Sequence, residues 1–409
     1  MDQTVSPLFR LHPQARVFRD GGTVAPRAAP APMRLVARPV RDALPGLLAA
    51  FAAGEEFCVH ANPEQAQRMP THGTPGFVTA VTSGTTGAPK RVRRSHGSWI
   101  ASFRVNAGLF GLRPDDRYAV LGGLEHSLTL YATAEALYLG AGLNVLSGLR
   151  PDRQWSGLER ASVLYATPAQ LRLLCAVGAD RTQPGLRLLL VGGGFLDAAT
   201  RAEAARAFPT ARIHAFYGAS ESSFIALSDE STPDGSVGRP YPGVEISVRD
   251  MGSAVAAVNE IGEIWVRSPY LFDGYAGATS PDTVWQDGFL TVGELGRIDA
   301  EGHLFLTGRK SRMFTVADRN CLPEEVEALL LGLPGVAEAA VLPRPDTRRG
   351  QVPVAFLWGQ LAETDRAALE AGARAKLDPL FVPREIRILA DWPRLASGKT
   401  DLRALEALL

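Results

Sequence analysis

The chain has 409 residues, more than one ordinary domain, so two domains or one large domain with an appendage are expected. Its 43 Lys and Arg balance 43 Asp and Glu, which argues against a broad basic surface for nucleic acid or anionic membrane; 46% apolar and 21% charged residues are the proportions of a globular chain with a real core. Three widely spaced cysteines (Cys58, Cys175 and Cys321) form neither a disulfide framework nor a zinc-spaced cluster, so a reducing cytoplasm is the expected location.

The first residues, MDQTVSPLFRLHPQ, lack an apolar run, and no secretory signal is expected. Residues 20–33, DGGTVAPRAAPAPM, predict an irregular segment or linker, and a helical stretch follows around Asp42 to Ala53. From Phe77 onward, short β-rich runs (FVTAV, YAVL, NVL, SVLYA, LRLLLV, RIHAF) alternate with helical patterns such as PAQLRLLCAV and LDAATRAEAARAF. That alternation predicts an α/β domain with a largely parallel sheet. Within it, LTLYATAEALYLGAGLNVL is long enough to span a bilayer. Glu135 near its middle and the Gly-Ala-Gly before NVL favour a buried helix followed by a strand, without membrane insertion.

From about Val244 strand follows strand (VEISV, GEIWVRS, HLFLTG), the pattern of an antiparallel or barrel-like part. After Gly308 the order becomes MFTV, a helix opening at Pro323, EAAVLP, VAFLW, a helix near Glu363 to Leu377, and EIRILA. This β-α-β-β-α-β order suits a small α+β domain. The expected division is 1–308 and 309–409.

Only four of the 43 basic residues are lysine: Lys90, Lys310, Lys376 and Lys399. Where arginine serves for most cations, the remaining lysines are candidates for positions that need a compact ammonium. Lys90 closes the densest signal in the chain, Val81-Thr-Ser-Gly-Thr-Thr-Gly-Ala-Pro-Lys90, directly after a predicted strand. Small hydroxylated residues and glycines (Thr82, Ser83, Gly84, Thr85, Thr86, Gly87) let backbone N–H groups converge on anionic oxygens. The spacing is not that of a Walker A loop. Near the C-terminus Ser397-Gly-Lys399-Thr400 imitates the tail of one, but Pro393 stands in place of its first glycine.

The first of these segments resembles the phosphate-binding loop of the adenylate-forming superfamily, which includes acyl- and aryl-CoA ligases, luciferases and peptide-synthetase adenylation domains. Other motifs of that family follow in order over roughly residues 75 to 409. Phe216-Tyr-Gly-Ala-Ser-Glu221 is similar to its adenine and magnesium motif, Gly192-Gly-Gly-Phe-Leu196 to the loop along the adenine, and Gly262-Glu-Ile-Trp-Val266 to a structural strand. Gly293-Glu294 falls where the ribose aspartate belongs. Gly308-Arg309 matches the hinge motif, Pro323-Glu-Glu-Val-Glu327 the helix after it, and Ser397-Gly-Lys399 the C-terminal catalytic loop.

The resemblance implies a large ATP- and acid-binding domain and a mobile C-terminal lid. It implies ATP with Mg²⁺, a carboxylic acid substrate (aryl or fatty acyl), and CoA or a phosphopantetheine of an acyl or peptidyl carrier protein as acceptor. It places Gly193 and Gly194 along the adenine, Phe216, Tyr217 and Gly218 around it with Tyr217 as the stacking face, and Ser220 on the phosphates. Glu221 is the expected metal ligand, Glu294 and Arg309 the ribose partners, Lys90 and the loop before it the phosphate cradle. Lys399 is the expected catalytic cation, its ammonium bridging the carboxylate and the α-phosphate as two anions meet. His126 aligns with the histidine beside the acyl pocket; its neighbour Glu125 leaves open an amino-acid-activating reading in which it holds a substrate amine.

The pattern also departs from the family. The phosphate loop begins some hundred residues early, so part of the N-terminal region is reduced. Arg91 replaces the glycine that normally follows the loop lysine, and Ser311 falls at the hinge position beside Lys310. Asp318 stands where glycine is common, near the tunnel for pantetheine. These departures lean toward the alternative of a non-catalytic nucleotide-binding relative; Lys90, Glu221, Arg309 and Lys399 lean toward an enzyme.

Overall fold

The structure, a computed structural model, describes residues 7–26, 34–68, 73–82, 90–250, 252–277, 279–395 and 400–409. The α/β alternation forms a nine-stranded sheet. Its centre is parallel: Gly142–Val145, Arg117–Val120, Val163–Ala166, Leu188–Val191 and Arg212–Ala219 lie side by side in that order. Strands such as LLLV at Leu188–Val191 are buried at every residue, as helices on both faces require. The apolar stretch after Arg117 resolves as expected into a helix, Ser127–Leu139, and the strand Gly142–Val145. No helix among the described residues is long and apolar enough to cross a membrane.

Residues 20–24 depart from the irregular segment expected there. Arg16–Arg19 and Gly22–Val24 form a hairpin added to the edge of this sheet. Asp20 and Gly21 turn it with φ of 51° and 80°, the left-handed pair that Asp-Gly favours in two-residue hairpins. Residues 27–33 lie outside the described residues. The predicted helix beyond them is Val40–Ala53.

A second sheet of five strands carries the loop lysine. Its order runs Gly274–Tyr275, Lys90–Ser95, Phe77–Thr82, Phe57–His60 and Arg34–Val36. The helix His96–Phe110 continues directly from Lys90–Ser95 and packs against Ser127–Leu139. These helices and the two sheets share one core that includes Phe9, Trp99, Phe103, Tyr131 and Phe224. The strand-rich part after Val244 is an antiparallel sheet of six strands in which Gly262–Arg267 pairs with Glu245–Arg249, Phe289–Thr291 and Glu294–Ile298.

In the C-terminal part, Val336–Asp346, Gly350–Gly359 and Glu385–Ile388 form a separate three-stranded sheet. Helices Pro323–Leu331 and Arg366–Lys376 cover it, with a core of their own around Val326, Leu330, Val341, Leu357 and Leu369. The expected order holds, except that Phe314–Val316 does not join that sheet. It folds back on Arg319–Cys321 as a hairpin. Its two turn residues, Ala317 and Asp318, have φ of 45° and 65°, so the position of Asp318 is one that glycine occupies without strain. All three cysteines are free and buried.

Candidate functional site

A cavity of about 390 Å³ opens where the nine-, five- and six-stranded sheets meet the C-terminal segment. It brings together residues from five of the motifs: Lys90, Gly193, the stretch Phe216, Gly218, Ser220 and Glu221, then Glu294 and Arg309. Leu395 and Thr400 also line it, the two described residues nearest in sequence to the C-terminal motif. Lys399 itself lies outside the described residues, as do Ser83, Gly84, Thr85, Thr86 and Gly87. Thr82 ends the strand Phe77–Thr82 and pairs with Lys90 across the ladder.

The hairpin of Arg212–Ala219 and Ser223–Leu227 shapes the middle of the site. A register shift between Tyr217 and Gly218 sets Ile225 as an extra residue in the second strand. Strand alternation then sends Phe216 and Gly218 to the cavity and Tyr217 to the opposite side. There Tyr217 is 8% exposed and packs with Ile225, Ile264 and Leu304, and its hydroxyl donates to Glu294. The aromatic ring that lines the cavity is that of Phe216. It rests on Gly192, where any Cβ would come within 2.3 Å of the ring. The turn after Gly218 is equally close, because a Cβ there would meet the Ser223 carbonyl at 2.0 Å. Gly194, next to the cavity-lining Gly193, is exposed and faces Pro168.

Glu221 follows at the hairpin tip. Its Oε1 accepts a 2.7 Å hydrogen bond from the Tyr275 hydroxyl, and its carbonyl accepts from the Phe272 amide at 2.8 Å. Burial first, and the Glu221 charge second, push the Tyr275 phenol up, so it remains a donor at neutral pH. Glu294 receives Arg309 at 3.0 Å as well as Tyr217, which gives the cavity rim an acceptor and a guanidinium fixed side by side.

Beyond the rim, Lys310 pairs with Glu263 of the strand Gly262–Arg267 at 3.0 Å, and its amide donates to Gly293 at 2.8 Å. Ser311 is exposed. Arg312 clamps Glu324 and Glu327 at 3.0 and 2.6 Å, which orients the helix Pro323–Leu331 by its first turn. His126 caps the helix Ser127–Leu139 with its ring 43% exposed and does not line the cavity, although Ser127 and Leu128 do. Glu125 is 8% exposed and also stands outside the lining; its Oε2 is buried without a hydrogen-bond partner.

Among the cavity residues that belong to no motif is a buried cation, Arg94. Arg94 is 1% exposed, and burial pulls its guanidinium down to about 10, still cationic at neutral pH. Its Nη1 donates to the Ser220 carbonyl at 2.8 Å, its Nε to Ser98 at 3.3 Å, and its Nη2 to the Tyr270 carbonyl. Among the described residues it pairs with no carboxylate within ion-pair distance. The sequence signal is present: in KRVRRS, Arg94 shares the inward phase of the strand with Val92.

The AMP-binding enzyme family matches residues 43–276, and the AMP-binding enzyme C-terminal domain matches residues 325–399. An uncharacterised acyl–CoA ligase of Bacillus subtilis (strain 168) is 33% identical over 328 residues, 79% of this chain and 66% of that relative. A 2-succinylbenzoate–CoA ligase of Bacillus pumilus is 31% identical over 335 residues, 80% of this chain and 68% of the relative. This chain thus spans about two thirds of the length of these relatives. The solved o-succinylbenzoate CoA synthetase of Bacillus subtilis, in complex with its acyl-adenylate intermediate, superposes with a TM-score of 0.71 at 28% identity, covering 80% of this chain and 68% of that one. The same synthetase has been solved with ATP and magnesium ion, with a TM-score of 0.71 at 27% identity over 80% and 69% of the two chains.

Proposed function

The chain belongs to the AMP-binding enzyme family of adenylate-forming ligases, and from that premise we propose that it converts a carboxylic acid and ATP to an acyl-adenylate and pyrophosphate, then transfers the acyl group to the thiol of CoA. The observation that carries this reading is the single cavity shared by Lys90, Phe216, Glu221, Glu294 and Arg309. Those residue types meet the needs of the reaction in turn. Glu294 accepts from a ribose diol, Arg309 adds donors beside it, Phe216 offers an apolar face to a purine, and Lys90 supplies cationic charge for phosphates.

The donor set also fits magnesium. Glu221 is a carboxylate on the cavity wall whose Oε1 is oriented by Tyr275. Hard cations of this kind take carboxylate and phosphate oxygens, and a bound Mg²⁺ neutralises charge on the polyphosphate.

Two anions must approach for the acid to attack the α-phosphate, so cationic side chains at the cavity are needed to lower the barrier. Lys399 is the proposed bridging ammonium. Ser220 and the loop Thr82–Gly87 are the proposed phosphate contacts, and Gly193 and Gly194 the walls along the adenine. We divide the chain at 308/309, where the pair Lys310–Glu263 joins the C-terminal part to the antiparallel sheet. Turning the lid about that junction would exchange the adenylation surface for one that admits the thiol. Asp318 sits at an exposed turn on that lid, and a phosphopantetheine on a carrier protein is the competing acceptor.

The test is acid-dependent ATP–pyrophosphate exchange with the full chain, followed by thioester detection with CoA and with a phosphopantetheinylated carrier. Exchange without any thioester on CoA would remove CoA as acceptor, and its absence with every acid would remove adenylation. Lys399→Ala is expected to lose most acyl-adenylate formation, by about 10²–10³-fold, while still binding ATP. Undiminished adenylation in that variant would overturn the assignment.

A further inference from the structure

We infer that the acid side of this cavity is closed for a compact acid, one aromatic ring or a short chain, and that Tyr131 and Trp99 are the residues that set the limit; the inference rests on the adenylation reading above. Trp99, Leu128, Tyr131 and Phe224 line the cavity together with Phe216. Trp99, Tyr131 and Phe224 are 1%, 5% and 2% exposed. Their rings meet edge to face: Trp99 on Tyr131 at 5.4 Å and 79°, Tyr131 on Phe224 at 5.4 Å and 66°. Phe216 lies 4.4 Å from Phe224, so the rings run without a break from the nucleotide side to the floor.

Behind the floor there is no apolar slack for a chain to enter. Phe103 backs Tyr131 at 5.1 Å, and the Tyr131 hydroxyl is held by Ser102 at 2.8 Å and by the Asn106 amide at 3.2 Å. Asn106 also donates to Glu135 at 2.8 Å and accepts from Tyr241 at 2.6 Å, while Tyr118 and Tyr165 donate to the other Glu135 oxygen at 3.1 and 2.6 Å. A long acyl tail would have to swing Tyr131 away and break a buried network whose members have no water to turn to. An aromatic floor braced from behind in this way suits a short acid.

The experiment is ATP–pyrophosphate exchange by the full chain with benzoic, butanoic, decanoic and hexadecanoic acids, repeated for Tyr131→Ala and Trp99→Ala. The expected result is kcat/KM for the best compact acid at least about 100-fold above that for decanoic acid. In either variant that ratio falls at least about tenfold through a gain with decanoic acid. Two variants on different helices guard against one failing to fold, and the wild-type panel stands without them. Comparable exchange with decanoic or hexadecanoic acid in the wild type overturns the size limit while leaving adenylation standing. Exchange with no acid at all overturns the adenylation reading, and the inference with it.

Discussion

The Tyr275 phenol is bonded at once to Oε1 of Glu221, at 2.7 Å, and to the hydroxyl of Thr283, at 2.9 Å. Tyr275 lies on the short strand Gly274–Tyr275 that closes the edge of the five-stranded sheet, so that edge sets the angle of the proposed metal carboxylate. Partners of this kind orient a ligand and tune its basicity. Tyr275→Phe is expected to raise the Mg²⁺ concentration for half-maximal exchange about tenfold, with a smaller change at saturating Mg²⁺. A magnesium titration decides it, and an unchanged midpoint would mean that Glu221 is oriented by something else.

Arg94 holds two backbone carbonyls, that of the buried Tyr270 and that of the half-buried Ser220. Arg94→Met keeps the apolar stem, removes both bonds and strands the Tyr270 carbonyl. The expected cost is about 1–3 kcal/mol of unfolding free energy, the cost of one stranded buried carbonyl, since the Ser220 carbonyl borders the cavity. Denaturant unfolding measures this. A loss well under 1 kcal/mol would show that the hairpin tip relaxes toward other donors.

Asp318 occupies a turn with φ of 65° and is exposed. Asp318→Gly is expected to add a few tenths to about 1 kcal/mol of stability by removing the left-handed strain on an L residue, less the entropy glycine adds to the unfolded chain. It is also expected to raise the rate of thioester formation while leaving pyrophosphate exchange unchanged. Equal thioester rates in the two proteins would assign Asp318 to the turn alone.

Glu135 is fully buried, and that burial pushes its carboxyl up to about 7, against the pull of the hydrogen bonds from Tyr165, Asn106 and Tyr118. The folded state therefore binds a proton that the unfolded state has released, and stability falls as pH rises from about 4.5 to about 7. His96 works in the opposite sense. Burial pulls its ring down to about 4, so the unfolded state takes up the proton first and stability falls as pH drops below about 6.5. Comparing Glu135→Gln with the wild type isolates the first contribution. The stability difference between the two proteins is expected to change by on the order of 3 kcal/mol across that window. A difference independent of pH would place the titration of Glu135 elsewhere.

The sequence by itself determined the order of elements and the family. Glu135 and the Gly-Ala-Gly break separated the helix Ser127–Leu139 from the strand after it, and the alternation of β-rich and helical runs set the β-α-β-β-α-β order of the C-terminal part. Both are local signals carried by a few adjacent residues. The motifs likewise named Glu221, Glu294 and Arg309 without any coordinates, because a turn or a carboxylate needs its residue type at a set spacing.

Tertiary structure alone decided which way those residues face and what stands behind them. Strand alternation turns Phe216 to the cavity and Tyr217 to the core, and nothing in FYGASE announces which of the two rings faces the site. Ser102, Asn106, Tyr131, Glu135 and Tyr241 come from three separate stretches of chain, and each alone has the look of an ordinary helix or loop residue. Their network exists only when the helices His96–Phe110 and Ser127–Leu139 pack together and leave buried polar groups with one another as their only partners.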